Sequence, residues 1–167
     1  KAFNELYNSF SKAMYNICVR MMNDAEEAKD MLQEGFVEAF RRLDSFRGES
    51  TFGAWLKRIM VNRCINELEK RRIMWVSDEV PETLSIADER DGPDEDELRL
   101  SVERVKRAME LLPEGARVIF SLYLIEGYDH TEIAEILKIS ESTSKTQFMR
   151  ARQLVKEKLI AMPGFVA

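Results

Sequence analysis

The sequence is poor in the residues that build metal and redox centres. It has one His and two Cys in 167 residues, one short of the four ligands that a closed structural zinc site takes from these residue types. No nucleophile–base pair and no phosphate-cradling glycine loop can be picked out, so the expectation is a protein that is not an enzyme by itself and uses no cofactor and no metal. No apolar run approaches the roughly 18–20 residues of a membrane span, which predicts no direct membrane insertion. No secretory signal pattern is visible. The chain begins at Lys1 rather than Met, which predicts that further residues precede it. Alternating apolar–polar runs of the kind that mark half-buried strands are missing too. Gly and Pro are few, at 7 and 4. Together these absences predict an all-α protein.

What is present is unevenly charged. The net charge is −5, but residues 1–72 carry 13 basic and 11 acidic side chains, residues 73–100 carry 2 and 10, and residues 101–167 carry 10 and 9. The local balances are therefore +2, −8 and +1. The acidity belongs to the middle of the chain, so the overall charge does not argue against nucleic acid as a partner of the flanks.

Residues 3–22 place Phe3, Leu6, Tyr7, Phe10, Met14, Ile17, Cys18 and Met21 at helical spacing, an ordinary core stripe. Asn23-Asp24 breaks the pattern, and Asp24 with Glu27 has the spacing of a capping box. A second helix follows to about Leu43, with Ala28, Met31, Leu32, Phe36, Ala39, Phe40 and Leu43 as its buried set. Gly35 is anomalous there, since a mid-helix Gly costs about 1 kcal/mol relative to Ala. It either admits a neighbouring helix or has no role. The two cysteines, Cys18 and Cys64, sit in apolar helical patterns and read as small buried hydrophobes of a reducing compartment.

The chain is organised around Asp44 to Arg72, DSFRGESTFGAWLKRIMVNRCINELEKRR. A turn holding Phe46, Arg47 and Gly48 leads into a helix, with Ser50 the expected N-cap. The early apolar residues Phe52, Trp55, Leu56 and Ile59 and the later Val61, Cys64, Ile65 and Leu68 lie on different faces, which predicts different neighbours along the helix. Between them runs a polar strip, Arg58, Asn62 and Asn66. Lys70, Arg71 and Arg72 close the helix with charge that suits its C-terminal dipole. Three helices in about 72 residues predict a compact bundle, the first domain, residues 1–76.

Residues 77–93 form an acidic linker with Pro81 and Asp91-Gly92-Pro93, and the apolar residues 73–76 before it are placed with the bundle. A linker of this kind predicts two domains without a fixed mutual orientation. The second domain, residues 94–167, starts with a helix carrying Leu98, Val102, Val105, Met109 and Leu112. Pro113 is expected in the first turn of the next helix, whose buried face is Val118, Ile119, Leu122 and Tyr123 and which Gly127 ends. A helical hairpin follows. Its first helix carries Ile133, Ala134 and Leu137, Ser140 is the expected N-cap of the second, and Phe148, Ala151, Val155 and Leu159 form the second helix's core stripe. The pattern suits a helix-turn-helix, or equally an ordinary hairpin. Lys138 stands where the turn usually has Gly, and Ser144 where the second helix is usually apolar. Ser142, Thr143, Lys145, Thr146, Met149 and Arg150 are expected to face outward. Of these, Lys145 and Arg150 are the better candidates for reading guanine edges. Arg152, Lys156 and Lys158 are expected to meet phosphate or solvent, and His130 is expected to be exposed or capping.

DSFRGES followed by F, WL, R, I and N at their spacing resembles the promoter-melting region of bacterial RNA polymerase sigma factors, in particular the small extracytoplasmic-function (ECF) group. LLPEGARVIF and KISESTSKTQFMRAR resemble the reader of the upstream promoter element in the same family. The resemblance spans nearly the whole chain. It implies a cytoplasmic bacterial factor that binds core RNA polymerase, directs it to promoters and promotes strand opening, under the control of an anti-sigma factor. Asp30, Gln33 and Glu34 match the motif that docks on a coiled coil of the polymerase largest subunit. By resemblance, Phe46, Arg47, Gly48, Lys57, Arg58 and Asn62 take a flipped base of the non-template single strand, while the hairpin reads duplex promoter DNA. Phe46 could stack on that base or simply anchor the loop in the core. The acidic linker could be a plain tether or an anionic strand in the RNA path of the polymerase. Two rival readings remain, a helix-turn-helix DNA-binding regulator acting without polymerase and a helical protein–protein adaptor.

Overall fold

The computed structural model describes residues 1–71 and 95–162, with side chains from residue 102 onward in the second stretch. The acidic linker, residues 77–93, lies outside the described residues, as do Arg72 and residues 73–76. Among the described residues there are seven α-helices and no strand, in line with the all-α expectation. The chain divides into two compact units, one of Lys1–Ile73 with Thr131–Ile139, the other of Met74–His130 with Ser140–Ala167.

In the first unit, α1 (Ala2–Met22), α2 (Ala25–Arg41) and α3 (Phe52–Lys70) each pack on the other two. Asn23 ends α1 in the left-handed region, φ 54°, which Asn tolerates better than most residues. Asp24 then caps α2, its carboxylate accepting from the Glu27 N–H at 2.9 Å. The Glu27 side chain takes a bidentate Arg71 instead, with both N···O distances at 2.8 Å, pinning the end of α3 to the start of α2. The core holds Met14, Ile17, Cys18 and Met21 of α1, Met31, Leu32 and Phe36 of α2, and seven residues of α3 from Leu56 to Leu68. Gly35 of α2 lies against the Met60 side chain of α3. A Cβ there would overlap the Sδ of Met60 and lie 2.9 Å from its Cε. Two expectations change. Phe3 and Tyr7 are 51% and 38% exposed, so the first half of α1 is a surface rather than core. The N-cap of α3 is Thr51, which accepts from the Ala54 N–H at 3.1 Å, while the Ser50 hydroxyl donates to the Thr51 carbonyl. Both residues are good caps, and loop geometry selects the second.

The second unit contains α4 (Glu95–Glu110), α5 (Glu114–Phe120) and α7 (Glu141–Ala161), with α4 and α5 both packed on α7. The intervening α6 spans His130–Leu137. Pro113 is the cap of α5, in extended conformation, rather than a first-turn residue. At its end α5 widens into one π turn, Ser121–Ile125, marked by the Glu126 N–H bonding the Ser121 carbonyl five residues back. Gly127, φ 77°, then turns the chain. On α4, Met109 is buried as expected, and Leu112, also buried, lies two residues past the end of the helix rather than on it. Val105 is half-buried and Val102 is 46% exposed, and the Leu98 side chain lies outside the described residues.

Candidate nucleic-acid interface

The loop entering α3 is built around rings. Phe46 is half-buried, 5.3 Å from the Trp55 ring and edge-on to Phe52 at 5.7 Å, while Phe52 meets Phe10 of α1 at 5.3 Å. Its neighbours Arg47 and Gly48 are exposed, and Gly48 has φ 72°, where any side chain would be strained. Along α3, Trp55, Arg58 and Asn62 recur at i, i+3 and i+7, so the ring cluster continues into the polar strip on one side of the helix. Arg58 is half-buried, and Asn62 and Asn66 are exposed. Lys57 is half-buried and sits about 100° around the helix from Arg58, off that strip. The result is a ring edge, a guanidinium and a carboxamide in sequence. They are suited to stack on a base, neutralise a phosphate and pair with a base edge.

On α2, Asp30, Gln33 and Glu34 are all exposed and share one side at i, i+3, i+4. Glu34 is ion-paired with Arg63 of α3, which also lies 3.8 Å from Glu38. The hydrogen bond to Glu34 raises the Arg63 pKa above its ordinary value. Val37 joins this side and is 48% exposed, an apolar residue in a polar face. Sequence reasoning passed over it because a lone Val off the buried stripe carries no pattern.

On α7, Ser140 is the N-cap, as expected. Its hydroxyl accepts from the Thr143 N–H at 3.0 Å and donates to Thr143 Oγ1 at 2.7 Å. Thr146 donates back to the Ser142 carbonyl at 3.1 Å. Two of the hydroxyls expected to read DNA are thus engaged within their own helix. Ser142 and Lys145 are exposed, Lys145 lying 3.5 Å from Glu141, and Thr143, Thr146, Met149 and Arg150 are half-buried. Lys138 adopts φ 57°, the left-handed conformation that usually draws Gly to this turn.

His130 is neither exposed nor capping. It is half-buried, stacked on Tyr123 with centroids 4.5 Å apart and planes 17° from parallel, and 5.8 Å from the Phe148 ring. Its Nδ1 lies 2.9 Å from the Ser144 hydroxyl. Burial, then Lys145, lowers its pKa from the ordinary 6.5, against the opposing pull of Glu141 and Asp129. This bond also accounts for Ser144, which is fully buried at a position that favours an apolar side chain. Arg117 is another residue that periodicity missed, buried to 3% exposure, with a pKa lowered by burial. Every residue of α5 from Gly115 to Phe120 is buried, which leaves Arg117 no outward face to take.

Among the described residues no group of three His, Cys, Asp or Glu converges on a metal-sized site, and no helix is long and apolar enough to cross a membrane. Cys18 and Cys64 are both free and buried, and the Cys18 thiol, then burial, push the Cys64 pKa up.

Residues 6–73 match Sigma-70 region 2, and residues 102–155 match Sigma-70, region 4. The chain is 31% identical over 167 residues to the RNA polymerase sigma-H factor of Pseudomonas aeruginosa, an alignment covering 95% of this chain and 86% of that protein. It is 32% identical to the ECF RNA polymerase sigma-E factor of Escherichia coli, covering 95% and 87%. Among solved structures it is similar to CnrH in complex with the cytosolic domain of CnrY, with TM-score 0.56, 25% identity and coverage of 96% and 88%. The fold is also that of the sigma factor RpoE in complex with the anti-sigma factor NepR from Bartonella quintana, with TM-score 0.62, 22% identity and coverage of 96% and 98%.

Proposed function

This chain belongs to the ECF group of RNA polymerase sigma factors, and from that membership we propose how its surfaces divide the work of initiation. It is a transcription initiation factor whose partners are core RNA polymerase and promoter DNA. The rival readings lose ground on one observation, that a single chain carries both regions, 2 and 4. A regulator acting without polymerase has no use for the first, and an adaptor has no use for either DNA-reading surface.

Residues 1–76 dock on polymerase through Asp30, Gln33 and Glu34 and read the downstream element as single strand. Phe46, Arg47, Gly48, Arg58 and Asn62 line the path of the captured base, with Lys57 on adjacent phosphate. Residues 94–167 read the upstream element as duplex through the outward side of α7, led by Lys145 and Arg150, and residues 77–93 join the two. The protein acts in the bacterial cytoplasm by binding rather than by catalysis. An anti-sigma factor restrains it, a reading supported by the similar RpoE structure, which is a complex with the anti-sigma factor NepR. Pull-down of core polymerase followed by run-off transcription on genomic fragments tests the whole assignment. Promoter-specific transcripts dependent on this chain are expected, and DNA binding that needs no polymerase would restore the regulator reading.

A further inference from the structure

We infer that His130 is a positioning residue for the duplex-reading helix, holding Ser144 through Nδ1 while stacked on Tyr123 and so fixing how α7 presents its outward side. The inference rests on α7 being that reader. Three observations converge on it. First, Ser144 is fully buried on α7, and its hydroxyl meets His130 Nδ1 at 2.9 Å. A buried hydroxyl without a bond costs about 1–3 kcal/mol, so α7 is held in the rotation that keeps this one. Second, the imidazole is fixed from its other side. Tyr123 stacks on its face and Phe148 of α7 packs against it. Tyr123 belongs to the π turn Ser121–Ile125, and it also contacts Phe148 at 4.4 Å. The ring therefore wedges α7 against the turn that ends α5. Third, Ser144 and Lys145 are consecutive, and Lys145 is exposed. A rotation of α7 that breaks the Ser144 bond swings Lys145 with it.

The geometry carries a pH signature. The charged groups facing the ring are Lys145 and Glu141 from α7 and Asp129 from the preceding loop. Neutral imidazole can accept from the Ser144 hydroxyl at Nδ1, whereas imidazolium reverses the bond and donates from Nδ1 to the Ser144 oxygen. Imidazolium also carries its charge, half-buried, beside Lys145. Acidification below the ordinary imidazole range therefore weakens this arrangement and loosens the aim of α7, leaving generic phosphate attraction in place.

The test uses holoenzyme reconstituted with core polymerase. The probes are a duplex selected by the parent holoenzyme from a randomised pool and the same duplex with its upstream element scrambled. The readout is the ratio of the two affinities from pH 5.5 to 8. His130→Phe keeps the stacking on Tyr123 and Phe148 and removes Nδ1, and Ser144→Ala removes the hydroxyl. Each is expected to lower the ratio about three- to tenfold at pH 7.5, the worth of one hydrogen bond. The double variant is expected to match the singles, because both break the same tie. The parent ratio should fall on acidification, and that of His130→Phe should stay flat. Lys145→Ala and Arg150→Ala serve as reference variants. If they abolish discrimination while His130→Phe and Ser144→Ala leave it at the parent value, the positioning role is overturned and the reader assignment stands. If none of the four changes the ratio, α7 is not the reader and both fall.

Discussion

Lys138 and His130 show how much one residue decides in the hairpin. Lys138 holds φ 57°, a conformation that costs a residue bearing Cβ about 1–2 kcal/mol. Replacing it with Gly removes that strain but adds about 0.4–1 kcal/mol of unfolded-chain freedom. Lys138→Gly is therefore expected to stabilise the protein by about 0.5–1 kcal/mol, seen as a higher urea midpoint at unchanged slope. His130 acts through its proton. Its folded pKa lies below 6.5 while the unfolded chain titrates near 6.5, so the unfolded state binds more protons in that window. Its contribution to stability is complete above about pH 6.5 and is lost as pH falls toward the folded value. Urea midpoints across pH 5–8 should show a slope in the parent that His130→Phe removes. The departure at Lys138 was legible from sequence because one turn has one preferred residue. The Ser144 tie was not, since Ser144 stood out only as a polar residue at an apolar position and its partner His130 lies 14 residues away.

At the scale of elements, helical periodicity located all seven helices that the described residues contain, because an apolar stripe is a property of the helix alone. It placed buried sides less well where a helix meets solvent for part of its length, as at Phe3 and Tyr7 of α1 and Val102 of α4. The π turn left no trace in the sequence, since its five-residue bond depends on how the end of α5 packs. Gly35 was readable as an anomaly, and its cause lies across the α2–α3 contact. Gly35→Ala gains up to about 1 kcal/mol of helix propensity. It also forces Met60, which is fully buried, out of its place, a kind of overpacking that costs about 1–3 kcal/mol. Net destabilisation of about 1–2 kcal/mol is expected. In a Met60→Ala background the same change should instead be neutral or stabilising, so a double-mutant cycle on urea midpoints isolates the contact. The outward side of α2 permits a cleaner functional test. Gln33→Ala and Asp30→Lys alter exposed side chains and should stay within about 0.5 kcal/mol of parental stability. Glu34→Lys also opposes Arg63, a surface pair whose loss costs at most about 1 kcal/mol. All three are expected to weaken assembly with core polymerase at least tenfold if this side docks, with Val37→Asp joining them. Parental affinity in folded Gln33→Ala and Asp30→Lys would move the docking surface elsewhere.

At the scale of the molecule, the two proposed DNA-reading surfaces would answer to different states of the DNA, which lets experiment separate them. On that proposal, duplex reading by α7 matters as soon as the closed complex forms, whereas the loop before α3 meets its base only after strands part. Arg150→Ala should lose about 1–3 kcal/mol of upstream-element discrimination on duplex promoter if its contact is bidentate. Phe46 needs a subtler variant, because its ring packs on Phe52 and Trp55 and yet is only half-buried. Phe46→Leu keeps most of the apolar anchor and removes the aromatic face. Phe46→Ala removes both. If stacking on the captured base is its role, both variants should assemble holoenzyme and bind the upstream element normally. Each should lose about 1–3 kcal/mol of affinity for a promoter carrying a pre-opened bubble. If Phe46 only anchors the loop, Phe46→Leu should behave as the parent and Phe46→Ala alone should fail, with a lowered melting temperature to match. Permanganate footprinting of unpaired thymines on duplex and bubble templates, beside thermal melts of each variant, measures both arms. A penalty in Phe46→Leu that persists on the bubble points to base capture. One that the bubble relieves assigns Phe46 to nucleating the opening, a step the bubble template has already completed.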